Sequence, residues 1–136
     1  GSSAFYSCKS LTSIDVEENN PNYKSIDGNL YSKDGKTLII YAIGKTATTF
    51  TIPNSVESIG SYAFYNCREI EEVNFNGSPN FVCEDAIIRG VGEDGTMSRI
   101  VECLETRGVT TGAARLSAED FAGVKTIDPA AFQNCT

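Results

Sequence analysis

Histidine is absent from the 136 residues. With it go the usual general base, the commonest metal ligand and every Ser-His or Cys-His nucleophile pair, which excludes most familiar hydrolase chemistry. Basic residues are few: 11 Lys and Arg against 18 Asp and Glu leave a formal charge of −7. Nucleic-acid binding draws most of its affinity from clustered cations that release counterions, so nucleic acid is not an expected partner. Long apolar runs are also missing. The longest, Leu38 to Ile43, falls far short of the roughly 18 residues a membrane span needs, so this segment is not expected to insert into a bilayer. Gly90-Val91-Gly92 is followed by Glu93-Asp94 rather than by Gly-Lys, which leaves a nucleotide phosphate without its anchor. No cofactor is implied.

What is present is enough apolar residue to fold. Leu, Ile, Val and Phe make up about a quarter of the chain, above the roughly one-fifth below which disorder is expected. A chain of this size buries roughly two-thirds of its unfolded surface, so one domain over residues 1–136 needs no metal or disulfide staple.

The dominant feature is repetition. The pattern A-F-x-x-C occurs at Ala4-Phe5 to Cys8, at Ala63-Phe64 to Cys67 and at Ala131-Phe132 to Cys135. Flanks agree as well: Val56-x-x-Ile59 before the second copy matches Val124-x-x-Ile127 before the third, and Cys8-x-x-Leu11-x-x-Ile14-x-Val16 matches Cys67-x-x-Ile70-x-x-Val73-x-Phe75. Repeat cores over 4–16, 50–75 and 114–135 are separated by insertions 17–49 and 76–113. Each insertion carries an Asp-Gly turn signal, Asp34-Gly35 and Asp94-Gly95, between apolar runs, which predicts a β-hairpin. Alternating apolar residues at Leu11, Ile14 and Val16, at Phe50 and Ile52, and at Val73 and Phe75 predict short strands stacked in a parallel ladder. A tight helical turn is expected over Tyr62–Asn66 and one short helix over Ser117–Ala122.

These residues resemble the BspA-like, or treponemal-type, leucine-rich repeats of microbial surface proteins. Those repeats run as an apolar strand ending in Ile-Pro and then V-x-x-I-G-x-x-A-F-x-x-C, and Phe50 to Cys67 follows that pattern throughout. The resemblance implies a mostly β leucine-rich-repeat solenoid with short parallel strands, tight helical turns and β-hairpin insertions. It also implies an extracellular or cell-surface location and a non-enzymatic role in adhesion or recognition, with host or matrix proteins or glycans as partners. Spacer repeats within a longer surface protein are the alternative, and a glycan-active enzyme a distant third. The chain starts and stops inside a repeat, so a fragment of a longer solenoid is expected, because solenoids need polar caps.

The candidate ligand contacts are Tyr6, Tyr31, Tyr41 and Tyr65, aromatic side chains placed next to the core Phe or on a projecting hairpin. The expected structural core of the repeats is Phe5, Cys8, Ala63, Phe64, Cys67, Phe132 and Cys135, with the thiols as small apolar fillers. Cys83 and Cys103 flank the second turn, and whether they form a cross-strand disulfide is left open. The stretch Asp15 to Asn20 lacks the order of a calcium loop and reads as a solvated turn. Glu57, Glu69, Glu71 and Glu72 read as the polar side of strands, so no catalytic or metal residue is expected.

Overall fold

The computed structural model describes residues 4–5, 7–84, 86–104 and 118–132, and these are mostly β with almost no helix. The first insertion holds three strands, β1 (Tyr23–Ile26), β2 (Asn29–Ser32) and β3 (Thr37–Ile40). They form an antiparallel meander with Tyr23 opposite Ser32 and Leu38 opposite Tyr31. The turn between β1 and β2 is Asp27-Gly28, with φ of 50° and 74°; two successive residues in the left-handed region make the turn that matches strand twist. The sequence places a hairpin turn of this type at Asp34-Gly35, but there only Gly35 has positive φ. That wider turn is held by the Asp34 carboxylate, which accepts from the Ser32 hydroxyl at 2.6 Å and from the Lys36 amide at 3.0 Å.

The chain then enters the repeat. Strand β4 (Thr49–Thr51) leads through the short β5 (Ser58–Ile59) and a series of tight turns to β6 (Glu72–Asn74). β4 and β6 run parallel, with Phe50 beside Val73, and β5 adds in parallel to β3, with Leu38 beside Ile59. Turns over 60–67 use three-residue bonds, Ala63 N–H to Gly60 O, Tyr65 N–H to Tyr62 O and Cys67 N–H to Phe64 O, all at 3.0–3.2 Å. Leu11 to Val16 forms no ladder; it lies alongside the meander instead, with Ile14 N–H donating to Gly28 O at 2.8 Å and Val16 N–H to Ser25 Oγ at 3.1 Å.

The second insertion is the first one again. β7 (Phe81–Glu84), β8 (Ile87–Gly90) and β9 (Arg99–Cys103) make a second antiparallel meander. The short β10 (Thr126–Ile127) adds to β9 in parallel, with Ile100 beside Ile127. The bonding is duplicated residue for residue. Glu57 N–H and Ser58 N–H both donate to Lys36 O, as Lys125 N–H and Thr126 N–H both donate to Ser98 O; Tyr41 N–H donates to Ala63 O, as Cys103 N–H donates to Ala131 O. Asp94 repeats the turn device of Asp34, accepting from the Thr96 amide and hydroxyl at 3.0 and 2.6 Å. The expected helix over Ser117–Ala122 is a single 3-10 turn over Glu119–Phe121, with Ser117 outside the described residues. The returning segment Ala114–Ser117 also lies outside them.

One apolar cluster links both meanders through the repeat between them. It takes Tyr31, Leu38 and Tyr41 from the first, Ile52, Val56, Phe64, Ile70 and Val73 from the repeat, and Phe81, Ile88 and Val101 from the second. A smaller cluster of Ile87, Ile100, Cys103 and Ala131, with Val124 and Phe132 packed on it, occupies the other side of the second meander.

Candidate functional site

The tyrosines expected to meet a ligand sit differently from that expectation. Tyr31 has no exposed surface and Tyr41 is 2% exposed. The reason is the side of the strand on which they fall: Tyr31 lies opposite Leu38 on the sheet face that packs against the repeat. Tyr41 stacks 4.9 Å from Phe50 and 5.7 Å from Phe64, with Lys45 Nζ 5.4 Å above its ring. Burial, and secondarily Asp27, push the Tyr31 phenol well above its ordinary value; burial and then Cys67 push Tyr41 upward too. Both are core residues, not contacts. Tyr65 is half-buried, edge-on to Tyr62 at 6.1 Å, and Tyr6 lies outside the described residues.

Within the repeat, Ala63, Phe64 and Cys67 are buried, whereas Phe5 and Phe132 are half-buried. Cys8 is exposed, so no buried thiol column runs through it. Among the described residues no parallel strand pairs with its repeat. Cys135 lies outside the described residues. Cys83 is not part of a disulfide while Cys103 is, so the two are not bridged to each other. They flank β8, with Cys83 opposite Ile88 and Cys103 opposite Ile87. Two strand spacings of about 4.8 Å exceed the roughly 7 Å over which Cα atoms can be joined by a disulfide.

A concavity of the described surface lies over the first meander. It is a groove of about 920 Å³ bounded by Phe5, Ile14, Tyr23, Leu30, Ile39 and Tyr62, with Asp15 and Glu17 at its rim. Tyr23 is 45% exposed and Leu30 and Ile39 are half-buried. None of Tyr23, Leu30, Ile39 and Tyr62 stands out from the sequence alone. Aligning the two insertions 58 residues apart could have found the first two, because Tyr23 and Leu30 fall on Phe81 and Ile88. A second, flat surface is the outer row of the parallel ladder, where Thr49, Thr51, Glu72 and Asn74 are all exposed over the buried Ile52 and Val73.

One buried acid also escapes sequence reading. Glu102 on β9 is 4% exposed, its Oε2 has no hydrogen-bond partner, and burial, with a smaller push from Asp128, raises its carboxyl to about 9. Its counterpart in the first meander is Ile40, since Glu102 faces Ile88 as Ile40 faces Leu30. Among the described residues, no group of three or more Cys, Asp or Glu side chains is placed to hold a metal ion.

Comparison with known proteins gives these features a context. No curated protein matches the chain. A solved leucine-rich repeat protein from Eubacterium ventriosum is 32% identical with a TM-score of 0.50, over 53% of this chain and 19% of that one. The pneumococcal vaccine antigen PcpA is 25% identical with a TM-score of 0.42, over 47% of this chain and 22% of that one. The chain therefore spans about a fifth of the length of these solved proteins. The family model of the BspA type leucine rich repeat region, a model of six copies, matches residues 1–40 and 41–87. That is more than half of the chain, and it covers two of the three A-F-x-x-C segments and the meander between them: this chain belongs to the BspA-type leucine-rich repeat proteins.

Proposed function

We propose that this chain is a section of a surface-exposed or secreted bacterial solenoid that serves as a non-enzymatic recognition or adhesion module for proteins or glycans. The observation that carries the reading is the outer row of the parallel ladder. Thr49, Thr51, Glu72 and Asn74 stand side by side on two strands whose inner residues are locked in the core, and a rigid, polar, flat face suits a macromolecular partner because little side-chain entropy is lost on binding. The disulfide at Cys103 supports an oxidising, exported setting.

The test is a panel of matrix proteins and glycans presented to the chain and to a Thr51→Arg/Asn74→Arg double variant. Binding that falls by at least about tenfold, equivalent to about 1.4 kcal/mol, with an unchanged thermal midpoint supports the ladder face. Equal binding by the double variant overturns it. One observation favours the spacer reading: the two hairpin tyrosines placed best for contact, Tyr31 and Tyr41, are committed to the core. Absence of binding across the panel would point that way.

A further inference from the structure

Cations are scarce in this acidic chain, 11 Lys and Arg against 18 Asp and Glu, yet three of them meet at one small cavity. Lys9, Lys45 and Arg68 line a pocket of about 210 Å³ together with Thr46 and Asn66, and Glu69 is the acid on the same lining. Lys9 and Arg68 hold the same place in two successive repeats, each directly after an A-F-x-x-C segment, so the pocket joins one repeat to the next. Both side chains are exposed, and Lys45 is half-buried.

The loop that leaves β3 brings these cations together. Gly44 N–H donates to Leu11 O at 2.8 Å, and a Cβ on Gly44 would lie 2.6 Å from the Ser10 carbonyl carbon and 2.8 Å from the Leu11 nitrogen. A residue without a side chain is needed for that approach, which sets Lys9 beside the loop. On the other side, Tyr41 N–H donates to Ala63 O at 2.8 Å and the Tyr41 ring packs 5.7 Å from Phe64, tying the same loop to the turn that leads into Arg68. Lys45 is anchored between the two: its Nζ donates to Asp27 O and lies 5.4 Å above the Tyr41 ring. Like charges gathered at one cavity repel one another, and among the lining residues Glu69 offsets one cation of three. The pocket is therefore short of negative charge in a molecule whose net charge is −7.

We propose that this pocket binds an oxyanion group carried by an acidic polysaccharide. Arg68 brings five N–H donors in a planar fork that matches an oxyanion, Lys9 a mobile ammonium that closes on it, and Lys45 a fixed charge at the wall. Thr46 and Asn66 offer neutral polar groups to the sugar hydroxyls beside it. At about 210 Å³ the cavity is smaller than the roughly 300–1,000 Å³ of sites that enclose a drug-sized molecule, so it takes one charged group and leaves the rest of the ligand outside. An exposed ion pair is worth only about 0–1 kcal/mol, which favours a polymer whose repeated charges re-engage the site at high effective concentration. Among the described residues that line it there is no aromatic ring on which a nucleobase could stack. None of Thr49, Thr51, Glu72 and Asn74 lines the pocket, so this is a site apart from the ladder face.

The experiment titrates dextran sulfate and uncharged dextran against the full chain, its Lys9→Gln/Arg68→Gln variant and a Lys33→Gln/Lys125→Gln control that removes the same charge from exposed lysines elsewhere. The chain should bind dextran sulfate and not dextran, and more weakly as salt rises from about 50 to about 300 mM. The pocket variant should bind at least about tenfold more weakly with an unchanged thermal midpoint, and the control within about twofold of the unaltered chain. Equal loss in the two variants overturns the proposal, because overall charge and not the pocket would then hold the polymer. So does displacement by inorganic sulfate at the same concentration of sulfate groups, which would make the pocket a site for a free ion, and so does tighter binding of a polynucleotide of equal charge.

Discussion

Replacing Glu102 should turn a stability that falls with pH into one that does not. The carboxyl is 4% exposed, with Ile88 opposite it on β8 and an unpartnered Oε2. Among the described residues Asp128 adds repulsion, while Arg99 Nε is turned to Asp128 at 3.3 Å and Arg89 Nη1 donates to Asp120 O at 2.9 Å. The unfolded chain gives up this proton near the ordinary carboxylate value, whereas the folded chain holds it until about 9. The contribution is therefore fully present below the ordinary value and is lost as pH rises toward 9. Between those limits the slope is about 1.4 kcal/mol per pH unit, or about 3 kcal/mol from pH 5 to pH 7. Glu102→Ile copies the residue that the first meander has at this place, Ile40, and removes the proton from the balance. Denaturant unfolding at pH 5, 6, 7 and 8 should show the wild type losing stability relative to the variant by that slope, with the variant more stable at pH 7 by about 3 kcal/mol, roughly 10 °C in thermal midpoint. Parallel curves for the two proteins would refute the argument, because they would mean that Glu102 is ionised or solvated in the folded state.

Three further outcomes follow from burial and backbone geometry. Gly28 and Gly77 both have positive φ, 74° and 78°, but a Cβ on Gly28 would lie 2.8 Å from Ser13 Oγ and 3.1 Å from Ser13 Cα while one on Gly77 meets nothing; Gly77→Ala should cost about 1 kcal/mol and Gly28→Ala measurably more, and equal unfolding midpoints would refute the close approach of residue 13. Ala63 is 1% exposed and its carbonyl accepts from Tyr41 N–H, so Ala63→Leu should overpack the turn and cost roughly 1–3 kcal/mol, with an unchanged midpoint counting against that packing. Tyr31→Phe removes a buried hydroxyl that has no partner and should leave stability equal or raise it by about 1 kcal/mol without altering any ligand binding; lost binding would return Tyr31 to the surface role expected from sequence.

How much of this was legible in the sequence depended on whether local chemistry or packing decided the matter. Asp94-Gly95 marks a turn between β8 and β9, and the A-F-x-x-C and Val-x-x-Ile patterns mark the tight turns and the parallel pair, because each is set by residues within a few positions. The first hairpin of each insertion was not legible as such. Asp27-Gly28 carries the same Asp-Gly signal as Asp34-Gly35 only seven residues further on, and the turn before Ile87 uses Ala86 at φ 58°, a conformation alanine disfavours and composition does not announce. Tyrosine exposure failed for a related reason. The hairpins lie flat, so one face of each meander packs on the repeat that follows, and a shift of one residue along β2 separates the enclosed Tyr31 from Leu30 on the groove. The duplication then explains why these faces differ in burial although their sequences are alike. A face reads as core or as surface according to whether a repeat lies against it, so the same Leu30-type position is half-buried in the first meander and fully enclosed, as Ile88, in the second. In a protein built this way, the identity of a residue settles which side of a strand it occupies, and the neighbouring repeat settles whether that side is enclosed.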